Sequence, residues 1–288
     1  MKKNLLSLTL CVALFTACKK EPGSTLVGEK TSVTFTVSDF TVSDGSLEKS
    51  GASTAAVGDT LKNYANNLYY RIYDSSGGLV KFKSQTSAQA DFGTVADTLA
   101  AGTYTVVFTA SKQSLNFANS SLSSDHFLDP SNTNWDDIFL KKLTLTVGAT
   151  PINQAVRLDR IVAGLQLNLE EDPYGRFPLI RITVEDDDSI YQLGSLTSAN
   201  PVAKTREWTI FFGKGIKSVF MHVLNTNRPA KVTIRAYDRA GRQVAEKIVD
   251  NVRFYANKKT VFSGRITEDA NLTIKVDPIW NIKEPVQF

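Results

Sequence analysis

Apolar residues in this chain recur at every second position through most of its length. Val33, Phe35 and Val37 alternate with Ser32, Thr34, Thr36 and Ser38, and Leu68, Tyr70 and Ile72 alternate with Tyr69, Arg71 and Tyr73. The same spacing places Tyr104, Val106, Phe108 and Ala110 on one face, and then Leu143, Leu145 and Val147. It continues through Leu165–Leu169, Ile180–Val184, Val219–Val223, Val232–Ala236 and Leu272–Val276. Successive side chains of an extended strand point to opposite faces, so period 2 describes strands with one face buried. No segment sustains a helical period with caps at its ends. The β-branched and aromatic residues in these runs suit a pleated surface. The reading is an all-β protein of half-buried antiparallel strands packed as sandwiches. Short helical turns are expected only near residues 61–67 and 135–141.

A length of 288 residues exceeds what one small β domain needs and suits two. Two hairpin turns are explicit, at Asp74-Ser75-Ser76-Gly77-Gly78 and at Asp238-Arg239-Ala240-Gly241. Their glycines supply the positive φ that tight turns require. Arg71–Gly77 and Arg235–Gly241 also share the pattern R-x-Y-D-x-x-G, which reads as an internal repeat. Length and repeat together predict two domains of one architecture, over residues 31–150 and 151–288. Pro151 marks the boundary, and the second domain's first strand is expected at Ile161–Leu169. Residues 43–66 and 112–137, rich in small and polar side chains, read as long functional or mobile loops.

The amino terminus carries a second signal. Met1-Lys2-Lys3-Asn4 is a short positive segment, followed by an apolar run from Leu5 to Phe15. That run is far short of the roughly 20 residues needed to cross a bilayer and fits the core of an export signal. It ends in Leu14-Phe15-Thr16-Ala17-Cys18, which resembles a bacterial lipobox, with Phe15 departing from the strict pattern. Residues 1–17 are thus read as a signal peptide and Cys18 as the lipid attachment site, the partner on that side being membrane lipid. Several acyl chains at ~0.8 kcal/mol per buried CH₂ hold a protein stably where one chain does not. Residues 18–30 then form a tether, which at ~3.3–3.6 Å per extended residue reaches about 40 Å. Of two cysteines, Cys11 leaves with the signal, so the mature chain holds no disulfide.

Function classes can be excluded in turn. Without Lys2 and Lys3, 31 basic residues face 29 acidic ones, too even a balance to predict nucleic-acid binding. His126 and His222 are the only histidines, and no zinc-protease, nucleophile-elbow or P-loop motif is present. Gly213-Lys214-Gly215 reads as a turn between strands. His126 lies beside Asp125 and Asp129, but no motif links them to a nucleophile. The acidic runs Glu170-Glu171-Asp172 and Glu185-Asp186-Asp187-Asp188 match no calcium-loop spacing and read as solvated strand ends. No catalytic residue, metal site or cofactor is predicted. Tyr69, Tyr70 and Tyr73, with Trp135, Trp208 and Trp280, read as core plus one amphipathic face, or as a stacking platform for carbohydrate.

Four segments, in order, resemble motifs of Bacteroidetes fimbrillins and fimbrial-anchor lipoproteins, the minor-fimbrium anchors among them. They are LAAGTY at 99–104, VRLDRIVAGLQLNL at 156–169, NVRFYANKKTVFSG at 251–264 and DPIW at 277–280. The resemblance spans residues 30–288. It implies two tandem transthyretin-like β-sandwiches on a lipid anchor in the outer membrane, exposed at the cell surface. It also implies assembly with other fimbrial subunits by strand addition, in which a partner's strand completes an open sheet edge. In the family's stalk subunits an Arg-directed protease removes the first strand. No arginine lies between Cys18 and Arg71, which favours an unprocessed anchor or accessory subunit; Lys30 and Lys49 are the remaining basic sites for a different protease. The expected function is non-enzymatic attachment or assembly, and the alternative is a carbohydrate- or ligand-binding surface lipoprotein.

Overall fold

The computed structural model describes residues 30–41, 61–128, 135–170, 177–209, 218–268 and 272–278, with the side chains of 38–41, 208 and 209 excepted. The first part of the chain forms β1 (Thr31–Thr41), a single 3-10 turn (Leu61–Asn63), β2 (Asn67–Tyr73), β3 (Leu79–Thr86), β4 (Thr94–Leu99) and β5 (Gly102–Ser111). Two short strands follow, β6 (Asn116–Phe117) and β7 (His126–Leu128), and then β8 (Ile138–Val147) and β9 (Ile152–Arg160). Strands β3-β2-β5-β8 make one layer and β9-β1-β4 the other. The layers join where Phe139 and Leu140 of β8 meet Arg160 and Asp159 of β9. Between them lies a core to which β1 gives Val33, Phe35 and Val37, β2 gives Leu68, Tyr70 and Ile72, and β5 gives Val106, Phe108 and Ala110. Phe35 sits at its centre, 5.6 Å from Tyr70 and 5.1 Å from Phe108 between ring centroids.

After Arg160 the chain crosses at Ile161-Val162 into a second sandwich. Its strands are β10 (Ala163–Leu169), β11 (Leu179–Gln192), β12 (Thr197–Thr209), β13 (Ser218–Val223), β14 (Ala230–Tyr237), β15 (Gln243–Val252), β16 (Lys259–Gly264) and β17 (Thr273–Asp277). Strands β12-β11-β14-β15 face β13-β10-β16-β17 across a core that includes Leu165, Leu167, Ile180, Ile182, Val232, Ile234 and Phe262. The alternation in the sequence accounts for this: the residues on one face of each run are the ones buried.

Lettered by order within each sandwich, the first stacks C-B-E-F on D-A-G and the second stacks C-B-E-F on D-A-G-H. This is the transthyretin-like arrangement, all-β and predominantly antiparallel. Two pairs are parallel, β1 with β9 and β10 with β16. Each joins the first strand of a sandwich to its seventh, with the opposite layer serving as the long crossover that parallel neighbours need.

Three expectations are corrected here. The first sandwich does not end at Pro151: β9 (Ile152–Arg160) pairs with β1 as its last strand, so the second sandwich begins after Ile161-Val162, with β10 at Ala163–Leu169. Residues 135–141 are not helical, since β8 begins at Ile138; Ile138, Phe139 and Leu140 are all buried, and a short run buried on both faces is a strand pattern. The shared R-x-Y-D-x-x-G pattern does not mark equivalent positions. It closes the B–C hairpin of the first sandwich and the E–F hairpin of the second. The two turns are alike in chemistry: Asp74 Oδ1 accepts from Ser76 N and Gly78 N, and Asp238 Oδ1 from Ala240 N and Arg242 N, each at 2.9 Å. Gly77 and Gly241 take φ of 83° and 76°. The pattern therefore encodes a turn and no duplication of a domain.

Candidate functional site

The segment read as a polar loop, 112–137, does something else. Leu115, Phe117, Leu122, Phe127 and Trp135 from it pack on Tyr69, Tyr73, Val107 and Leu140 of the first sandwich and on Tyr191, Leu193 and Leu224 of the second. Strand β7 pairs with the far end of β11, Phe127 opposite Tyr191, and the two rings stack 5.4 Å apart. A third core thus joins the two sandwiches. The signal for it was aperiodic: large apolar residues scattered among Ser and Asn, with no strand spacing to reveal them.

Inside this third core is a charge pair. Arg71 and Asp125 form a salt bridge with both side chains fully buried. Tyr73 Oη donates to Asp125 Oδ2 at 2.6 Å, Arg71 Nε donates to Tyr73 Oη at 2.9 Å, and Arg71 Nη1 donates to Asn119 Oδ1 at 2.8 Å. The guanidinium also lies 4.7 Å from the centroid of Phe117 and 5.0 Å from that of Phe82. Burial, and then the bond to Asp125, push the Tyr73 phenol well above its usual range. The network fixes the loop against β2, as paired buried charges must be fixed to be tolerated.

Asp125 is turned into the Arg71 network, while His126 Nδ1 meets Ser124 O at 3.0 Å, so the two do not act on a common nucleophile. His222 is pulled down to about 3 by burial and stays neutral, its ring 5.0 Å from Phe220. Among the described residues no three His, Cys, Asp or Glu side chains converge on a metal-sized site. The tyrosine platform is corrected: Tyr69, Tyr70 and Tyr73 are all buried, the first and third in the shared core and the second in the first sandwich. Trp135 is buried too, its Nε1 donating to Asp188 O at 2.7 Å. Cys18, Asp129, Gly213–Gly215 and Trp280 lie outside the described residues, as does the Trp208 side chain.

The second acidic run is also corrected. Glu185–Asp188 is not a solvated strand end but an irregularity within β11, where pairing slips between Val184 and Asp187. Asp187 and Asp188 are fully buried. Asp187 Oδ1 accepts from the backbone of Asp188, Leu224 and Asn225, each at 2.8 Å, and Asp188 takes the Arg228 guanidinium at 2.6 Å. Burial outweighs those three backbone donors and pushes the Asp187 carboxyl up to about 6.

The sheet edges differ in how they are closed. On one side of the first sandwich, Lys81 and Lys83 reach from β3 across to β4, where Lys81 Nζ meets Asp97 Oδ1 at 2.5 Å and Lys83 Nζ meets Ala96 O at 2.6 Å. Asp97 stays below the usual carboxylate range: burial raises it, but the Lys81 bond and further favourable contacts prevail. Inward lysines of this kind deter edge pairing. The opposite side is less closed. In the second sandwich β17 lies beside β16 along five residue pairs. In the first, among the described residues, the matching edge of β9 is paired only at Asp159 and Arg160, with β8. Ile152 of β9 and Leu143 of β8 remain only partly buried against the first core.

No protein-family model and no curated protein matches the sequence. Several solved structures share its fold. One, from Bacteroides thetaiotaomicron and provisionally described as a polysaccharide binding protein (DUF1812), is 10% identical with a TM-score of 0.56, covering 90% of this chain and 99% of that one. A provisionally described adhesin from the same species is 13% identical with a TM-score of 0.52, over 86% of this chain and 96% of that one. The fimbrial anchor protein Mfa2 of Porphyromonas gingivalis is 13% identical with a TM-score of 0.50, over 88% of this chain and 99% of its own. At such identities the likeness is one of fold: this chain shares the architecture of these proteins over 86% to 90% of its length.

Proposed function

We propose that this protein is a non-enzymatic outer-membrane lipoprotein, held by acyl chains on Cys18, that anchors or contributes to a fimbria and exposes its two sandwich domains at the cell surface. A fimbrial partner engages it by adding a strand along the outer edge of β9. The observation that carries this reading is the contrast between the sandwiches. The edge that β17 covers in the second is left unpaired along most of β9 in the first, among the described residues. Free N–H and C=O groups on such an edge are a template for an added strand. Partly buried Ile152 and Leu143 supply apolar surface for it to cover.

The anchor role requires β1 to stay attached to the lipid-bearing end of the chain. β1 lies between β9 and β4, and its Val33, Phe35 and Val37 are buried in the first core. With no arginine between Cys18 and Arg71, the lipid stays in covalent continuity with an interior strand.

Two measurements test the proposal. Mass spectrometry of the mature protein is expected to find Cys18 acylated, and Cys18→Ser to release the protein from the membrane. A photo-crosslinking residue at Asn153 on β9 is expected to capture a fimbrial subunit on intact cells, while one at Val80 on β3 captures none. Equal capture at both positions, or none at Asn153, defeats the strand-addition reading.

A further inference from the structure

Where the sandwiches meet, the surface opens into a cleft of about 640 Å³. This lies within the roughly 300–1,000 Å³ typical of small-ligand sites, which favour junctions between domains. It is lined by the β2–β3 turn with Ser75 and Ser76 and by the start of β5 with Thr103 and Thr105. The 122–123 segment and the β11–β12 turn with Ser195 complete the lining. These pieces are tied together in advance. Leu122 N donates to Gly77 O at 2.8 Å, Leu193 N donates to Asp125 O at 2.9 Å, and Lys142 Nζ donates to Gly194 O at 2.5 Å. The cleft is therefore preformed by four separate stretches of chain.

Its lining selects a chemical class. The residues around it include seven hydroxyl side chains, one of them the Tyr104 phenol, and a single aliphatic one, Leu122. No lysine or arginine lines it, and the one charged group is Asp74. Hydrogen bonds from Ser76, and then Gly78, hold that carboxyl below its usual range, so the rim stays anionic and repels phosphate or carboxylate. Ser75, Thr103 and Thr105 make no side-chain hydrogen bond among the described residues, so their hydroxyls are available to a ligand. We infer that this junction cleft binds a neutral, polyhydroxylated ligand, a short saccharide segment, independently of the strand-addition edge on β9. Each hydroxyl can donate and accept, which matches the paired donor and acceptor character of sugar hydroxyls.

The test is saturation-transfer NMR on the full mature protein with glucose, mannose, galactose and N-acetylglucosamine as probes, and glucuronate and phosphate as anionic controls. Transfer to at least one neutral sugar and to neither anion is expected. Ser123→Trp, at an exposed wall position, should abolish the transfer by filling the cleft. Thr105→Val should weaken affinity about fivefold, the worth of one hydrogen bond. An unchanged melting temperature in both variants keeps the result a statement about binding. Absence of transfer to all four sugars, transfer to glucuronate equal to that of the neutral sugars, or transfer that survives Ser123→Trp overturns the inference. Crosslinking at Asn153 reports on β9 alone, so either proposal can fail without the other.

Discussion

Asp187 holds a carboxyl in a place where a charge is poorly tolerated. Its pKa rises from 3.8 to about 6 in the fold, so between about pH 4 and pH 6 the folded state keeps a proton that the unfolded chain has released. Stability contributed by this group is therefore full below pH 4 and is lost as pH rises through 6, by up to about 3 kcal/mol. Asp187→Asn keeps an oxygen for the three backbone donors and cannot ionise. Urea denaturation at pH 4 and pH 7 should show the variant gaining on the wild type by up to that amount. An identical pH slope in both proteins would mean that folding does not raise the Asp187 pKa. Nothing in the run Glu185–Asp188 announced such burial, because four acidic residues in succession ordinarily mark solvent. What reverses the expectation is three backbone N–H groups, two of them 37 and 38 residues further along the chain. Arg71 is similar. Its alternation with Ile72 placed it on the face of Tyr69 and Tyr73, but its partner Asp125 lies 54 residues away, beyond any local pattern.

At the level of strands, local pattern served well. Val33, Phe35 and Val37, or Leu165, Leu167 and Leu169, could be assigned to a buried face from spacing alone, because period 2 is a property of the extended chain itself. Which strand neighbours which is not local. The same alternation in β9 is compatible with a parallel or an antiparallel partner, so the pairing of β1 with β9 was illegible. The cleft was equally hidden, since Thr103, Ser123 and Ser195 stand out only once four stretches of chain converge. That convergence depends on close contact at Gly194, where an added Cβ would stand 2.6 Å from the Leu122 carbonyl oxygen. Gly194→Ala should destabilise the protein by about 1–3 kcal/mol, as overpacking against rigid backbone does. A chemical-denaturation midpoint unmoved from wild type would show that the two turns are not held so tightly.

For the molecule as a whole, the third core decides how the two sandwiches behave. Tyr69, Phe127, Tyr191 and Leu224 come from both, and β7 extends a sheet of the second although it precedes β8 of the first. The sandwiches should consequently melt together, in one calorimetric transition whose van't Hoff and calorimetric enthalpies agree. Two separated peaks would show that each stands alone. β1 carries a further consequence. If the chain is held through Cys18 as proposed, tension enters at β1, and this strand cannot peel away bond by bond like a strand at a margin. It must slide past β9 and β4 at once, so the ladders on both flanks resist together in shear, and the strand should hold best against a pull along its own axis.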